Sequence, residues 1–434
     1  MKRYSRRQLR ENMAGYFFVL PALIVMSIFV FWPVGYSFYL SFFNWNYAHL
    51  KSPQFIGFGN YIQLFQLDSP PPYSFLKALS YTIVYVSVTI VLTYAVFLIA
   101  QLIKEKKEKL FPTLYVLGVS AVSLLFLKMT IAHLSQNFYL SLIFLVAAIV
   151  LFFLKSSSFV TVMKEHGFLT FLVLIFSYVF LRYLFPSEYG VYQWLNIVKD
   201  NGDFIKALWN TAYYVILYVP INIFLALLVA LLLNRLKLFK AILRTSYFMP
   251  FVTSIVAISL VWQWIYNDQF GLLNYILSLV GLPGQAWLKN EVWTIPTIAV
   301  MSIWKTIGYN AIIFLAGLQS IDKFYYEAAD IDGATTSQKF FYITWPLLSP
   351  MTFFVLIVSV IGAFKVFTQV YVLYQGVPGP YNNSGLTIVY YIFNEFYGDQ
   401  QMGLASAAAY VLFGIILVFT LIQFKASRKR VEYT

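Results

Sequence analysis

The stretch EAADIDGATTSQKFFYITWPLLSP, Glu327 to Pro350, is a long polar interval set between apolar runs long enough to cross a bilayer. Glu327, Ala328, Ala329, Asp330 and Ile331 favour a helix, and Gly333 permits a tight bend where a side chain would obstruct a close approach. Phe340, Phe341, Ile343, Trp345, Leu347 and Leu348 then return the chain towards hydrocarbon. Pro346 and Pro350 lack amide donors and interrupt regular hydrogen bonding there. The pattern predicts a short helix, a sharp turn and a rigid return. Such an element is held against a membrane surface and is open to a soluble partner.

Outward from this segment the chain reads as membrane. Of its 434 residues 60% are hydrophobic and only 11% charged, and the mean hydropathy is +0.73. Uncharged windows of 18 or more residues recur, and their apolar runs are continuous rather than alternating, which favours spanning helices over a β-barrel. The net charge of +13 sits at the span ends: Lys2, Arg3, Arg6, Arg7 and Arg10 precede the first apolar run, and Lys425, Arg428, Lys429 and Arg430 follow the last. Both termini therefore read as cytoplasmic. The basic clusters flank spans and need no nucleic acid to account for them. No metal site is expected, since His49, His133 and His166 have no ligand-like spacing and cysteine is absent. No phosphate-binding loop appears, and no nucleophile and acid-base constellation marks a catalytic residue.

Ten crossings are expected. They fall near residues 14–40, 75–103, 110–127, 138–154, 168–185, 206–233, 246–265, 293–318, 350–372 and 403–423. The first is too long for a secretory signal core and reads as a retained anchor. An even count returns both termini to one side. KEKKEK at Lys104–Lys109, and Arg235, Lys237, Lys240 and Arg244, mark inside loops. Between the seventh and eighth spans, Gly and Pro content predicts an external loop with a short interfacial or re-entrant helix. FLKALSYTIVYV from Phe75 matches FIKALWNTAYYV from Phe204 at an offset of 129, which reads as a duplication fragment or as convergence of two aromatic helix starts.

Glu327, Ala328, Ala329, Asp332, Gly333, Ala334, Phe340, Ile343, Pro346 and Pro350, in that order, resemble the cytoplasmic coupling motif of ABC importer permeases of the maltose/glycerol-phosphate type. The likeness covers Met13–Phe65 and Asp203–Phe424, while 70–200 departs from the common six-span plan. Departures also occur inside the likeness: Thr368 stands where the family often has an acidic residue, and Gly376-Val377-Pro378 replaces a Gly-Gly-Pro run. The resemblance implies an all-α polytopic membrane protein with a type I importer core of six helices plus about four inserted ones. Its divisions are 1–65 for the tail, first helix and external link, 70–200 for the insertion, 203–424 for the core with its coupling loop, and 425–434 for a basic tail. It further implies a second homologous permease subunit and two ATPase subunits, which alone would bind ATP and Mg. An extracellular or periplasmic binding protein would deliver a carbohydrate, an oligosaccharide, for passage across a bacterial or archaeal inner membrane.

A solute path must be lined by protein, because bare backbone and charge are costly in hydrocarbon. Aromatic faces suit sugar rings, and amides and hydroxyls suit sugar hydroxyls. On these grounds Asn210, Tyr213 and Tyr214 of the sixth span, Gln263 of the seventh, and Tyr309 and Asn310 of the eighth are path candidates. Phe364, Phe367, Gln369 and Tyr371 of the ninth join them. Helix packing is an equally available role for the aromatics, and Trp264 and Tyr266 also suit an interfacial belt. Lys305 has the reach to meet an aqueous cavity or interface. A peptide or a phosphate-bearing solute stays open as the cargo. An ion-coupled carrier is a further alternative, though no intramembrane acidic relay is evident, and a membrane scaffold is another.

Overall fold

A computed structural model of the protein describes residues 6–46, 53–84, 190–236 and 240–427. The chain divides into two compact units, Met1–Gln66 with Gly202–Thr434, and Leu67–Asn201. In the second unit the helices Phe75–Val84 and Val191–Lys199 are described. Val191 N donates to Thr82 Oγ1 at 2.9 Å, and Trp194 Nε1 donates to the Tyr73 carbonyl at 3.2 Å. The rest of the span expected at 75–103, and those at 110–127, 138–154 and 168–185, lie outside the described residues, as do Lys104–Lys109, His49, His133, His166 and the tail beyond Ser427.

The larger unit begins with α1 (Arg6–Met26), which passes through a π-helical turn (Ser27–Phe31) into α2 (Trp32–Leu40). This first span touches the rest of the unit at its far end, where the Tyr410 hydroxyl donates to the Val34 carbonyl. Beyond it Phe43–Asn44 and Gln54–Phe55 pair antiparallel as β1 and β2, with Phe43 opposite Phe55, and α3 (Gly59–Leu64) follows. Asn60 Nδ2 donates to the carbonyls of Ser41 and Phe43 at 2.8 and 2.9 Å, so the hairpin and α3 form one cap.

The remaining elements are α4 (Asp203–Arg235), α5 (Lys240–Val252), α6 (Ile255–Ile265), α7 (Leu272–Leu279) and α8 (Glu291–Ser320). Next come α9 (Lys323–Ile331), α10 (Thr336–Lys339), a π-helical turn (Phe340–Thr344) and α11 (Trp345–Leu347). The chain ends in α12 (Ser349–Phe364), α13 (Thr368–Leu373), α14 (Ile388–Phe393) and α15 (Met402–Ser427). Among the described residues four helices are long and apolar enough to cross a membrane, and two bent pairs raise the number to six.

The centre of the unit is the pairing of α4 with α8. Ala226, Ala230 and Ala311 are fully buried and bring the backbones close, while Phe314, Leu315, Leu318, Leu348 and Val355 fill the space beside them. A polar ladder crosses the same interface: the Tyr218 hydroxyl lies 2.9 Å from Thr306 Oγ1, and Asn310 Nδ2 donates to Asn222 Oδ1 at 2.8 Å. In hydrocarbon each such bond contributes roughly 0.6 to 2 kcal/mol, enough to fix the register of two apolar helices.

Two expected spans are broken. The segment at 246–265 is the pair α5 and α6, bent by 100°. Pro250 removes an amide donor, and the hydroxyls of Thr245, Ser246 and Thr253 bond back to carbonyls four residues earlier, which bends helices. The span expected at 350–372 stops at Phe364, where Lys365 N and Val366 N bond the carbonyls of Gly362 and Ala363 in a tightened last turn. The Val366 carbonyl instead accepts from Thr387 Oγ1 at 2.8 Å. Phe367, Gln369 and Tyr371 therefore leave the span: Phe367 is the N-cap of α13, and the other two lie within it.

Candidate functional site: the elbow between α8 and α12

The polar segment that follows α8 forms a compact elbow whose turns are closed by its own side chains. Asp322 caps α9 by accepting from Phe324 N at 2.9 Å. At the other end Gly333 has φ +72°, Ala334 N donates to the Ala329 carbonyl at 2.9 Å, and Gly333 N donates to that of Asp330 at 3.1 Å. This is a Schellman closure, and it requires a residue at ease in the left-handed region. Two residues on, Thr335 and Gln338 form a reciprocal capping box that starts α10. Lys339 reaches back to pair with Asp330, and the Tyr326 hydroxyl lies 2.9 Å from Thr344 Oγ1, so α9 is tied to the returning chain at two points.

Pro346 and Pro350 sit in the first turns of α11 and α12, where a missing amide costs nothing, and the axis bends by 62° between those helices. Glu327, Asp332 and Gly333 are exposed, while Ala328, Ala329 and Ala334 are half-buried. Phe324, Glu327 and Ile331 follow at helical spacing and share a face of α9, with Phe324 69% and Ile331 88% exposed. Together they make an exposed apolar ridge with an acid in its middle. Asp322, Thr335 and Phe324 were missed as parts of the elbow, although an Asp ahead of a helix and a Thr-x-x-Gln spacing are readable capping signals.

The path candidates separate into two groups. Several have their polar atoms committed to packing: Asn210 Nδ2 donates to the carbonyls of Asn383 and Leu386, Gln263 Nε2 to those of Val372 and Leu373, and Asn310 to Asn222. Tyr214 is buried and stacks on Tyr218 at 5.4 Å, and Phe364 is buried against Phe419. Others present aromatic surface. Tyr213 is 43% exposed, Tyr309 stacks on Phe251 at 4.3 Å, and Phe367 and Tyr371 form a ring cluster with Tyr390 and Phe393. Gln369 is half-buried on α13. Among the described residues Gln263 lines a cavity of 680 Å³ with Trp264, Asn267 and Lys289, whereas Tyr309 lies beside the break between α5 and α6.

Among the described residues up to six helical crossings, with a capped polar elbow ahead of the fifth, form a membrane fold whose class comparison with known proteins supplies, a transporter permease. Residues 222–431 match the family described as binding-protein-dependent transport system inner membrane component. The chain is 38% identical over 260 residues to the arabinooligosaccharides transport system permease protein AraP of Bacillus subtilis, covering 59% of this chain and 82% of that one. It is 36% identical over 241 residues to the lactose transport system permease protein LacF of Rhizobium radiobacter, covering 54% and 80%. In fold it resembles a crystal structure of a bacterial ABC transporter involved in the import of the acidic polysaccharide alginate, with a TM-score of 0.50, 24% identity, and 64% and 100% of the two chains covered. The chain belongs to this family of permeases and is a multi-pass membrane protein.

Proposed function

We propose that the chain forms half of the translocation path of an ATP-driven importer for an oligosaccharide, with the elbow and both termini in the cytoplasm. The observation that carries this reading is the elbow itself: an exposed, internally locked helix whose ridge carries Phe324, Glu327 and Ile331 between two spans. A ridge so closed has little freedom to lose on docking, and a load on it passes directly into α8 and α12. A second homologous permease completes the path, two ATPase subunits receive the elbows and bind ATP with Mg, and an external binding protein delivers the solute. Closure of the ATPase pair moves the elbow and biases the spans between inward- and outward-open packings. This chain performs no covalent step. Exposed aromatic rings at Tyr213 and Tyr371, with Phe367 half-buried beside Tyr371, suit sugar rings. The similarity to permeases for arabinooligosaccharides and lactose supports a saccharide cargo.

The test is ATP hydrolysis by the complete complex with its binding protein, measured against a panel of arabinooligosaccharides, lactose, sn-glycerol 3-phosphate and short peptides. Stimulation by a saccharide is expected. Stimulation confined to the peptides or the phosphate ester would reject the saccharide reading.

A further inference from the structure

We infer that Lys305 is a positioning residue that pins the break between α5 and α6 to α8, so that the break follows α8 when the elbow below it moves; this rests on the coupled-transport reading above. α5 runs for 13 residues before it ends, and the break therefore lies about 20 Å along the helix from its start, within an apolar stretch long enough to cross a bilayer. A helix end leaves its last carbonyls without intrahelical donors, and in hydrocarbon no water replaces them. Lys305 Nζ supplies the donors. It bonds the carbonyls of Pro250 at 3.2 Å, Phe251 at 2.9 Å and Thr253 at 2.7 Å. An ammonium carries three N–H groups, and all three are used. Its positive charge also faces the negative end of the α5 dipole, and among the described residues no carboxylate pairs with it.

Two further contacts on the same face of α8 make the pin rigid. One turn on from Lys305, the Tyr309 ring lies flat on Phe251 at 4.3 Å and 11°, and Nζ stands 5.7 Å from that ring. Between them Gly308 meets the Tyr247 carbonyl so closely that a Cβ would collide with it. α8 continues unbroken to Ser320, and Asp322 then caps the elbow helix. A single helix thus runs from the pin to the foot of the elbow. With its donors spent on backbone, Lys305 has none left for solute, which distinguishes a pin from a charge that selects cargo.

The chain has no cysteine, so two can be placed for spin labels at the exposed positions Ile242 on α5 and Leu260 on α6. The full complex in lipid nanodiscs is measured with and without ATP by electron–electron double resonance. The wild-type distance is expected to be narrow and to shift with ATP. In Lys305→Met the narrow peak and the shift are lost, and Lys305→Arg, which keeps charge and donors, restores both. Should Lys305→Met fail to accumulate, Lys305→Gln decides: a broader distribution than wild type supports the pin, and an equal one overturns it. An unchanged distance in Lys305→Met overturns it outright, as does a wild-type break that stays still while labels on the elbow move. If ATP moves neither elbow nor break in the wild-type complex, the coupled-transport reading fails instead.

Discussion

Gly333 is the residue on which the elbow turns. Its φ of +72° is costly for any side chain although nothing lies within 4 Å of a Cβ there, so the penalty is conformational rather than steric. Gly333→Ala is expected to destabilise the turn by about 1 to 2 kcal/mol, and Gly333→Asn by less. Hydrogen exchange at Asp330–Ala334 would measure both. Glu327 stands exposed on the docking ridge and holds nothing in place, so Glu327→Ala should leave assembly and solute binding intact while uncoupling ATP hydrolysis from uptake. A paired assay of hydrolysis and transport separates these. At the other end of the unit, burial pushes the Glu395 carboxyl up to about 7, with Asp399 and Asp203 adding repulsion and the Tyr391 hydroxyl opposing them. Because the folded value lies above the ordinary one of 4.5, the stability this group contributes is full below that value and is lost as pH rises through 7. The turn Asn394–Gly398 is thus expected to be better protected from exchange at pH 5 than at pH 8, after correction for intrinsic rates, and Glu395→Gln should remove the difference.

Among the elements, what the sequence made legible follows its physical signal. The spans at 14–40, 206–233, 293–318 and 403–423 are long apolar runs, and each is a helix within a few residues of those limits. Continuity was the weak point. Hydropathy averages over a window, so Thr253 and Ser254 at the first break and Lys365 at the second are outweighed by their apolar neighbours. The first break depends on Lys305, more than fifty residues away, and the second on Thr387, which claims the Val366 carbonyl. Such partners are long-range and invisible to local pattern. The direction of a path amide is a problem of the same kind: an amide in a span is conspicuous in sequence, but whether it faces a solute or a neighbouring backbone is decided in three dimensions. The elbow was legible because its helix formers, the glycine at its turn and its two prolines act locally, although its caps at Asp322 and Thr335 went unread. Close packing gives a test at this scale. Gly308→Ala forces α5 away from α8 and should cost about 1 to 3 kcal/mol, seen as a lower Tm for the purified complex.

For the whole molecule, the larger unit is continuous in space though split in sequence. Phe65 packs edge-on against Phe204 at 5.5 Å, and a Cβ on Gly202 would lie 3.3 Å from the Gln66 carbonyl. The residues on either side of 67–201 are therefore already neighbours, and in the smaller unit Asp68 N bonds the Asn201 carbonyl at 2.9 Å. A chain in which Gln66 is joined to Gly202 by a short flexible linker should still insert and co-purify with the ATPase, and its loss from membranes would show that 67–201 is needed for folding. The most direct measurement is made at the elbow. A single cysteine is introduced at the exposed Ile331 of the ridge, in a chain that has no other. It should resist a membrane-impermeant maleimide in intact cells, react once the inner face is opened, and crosslink to the ATPase. Modification from outside intact cells would contradict the coupling role and the orientation together.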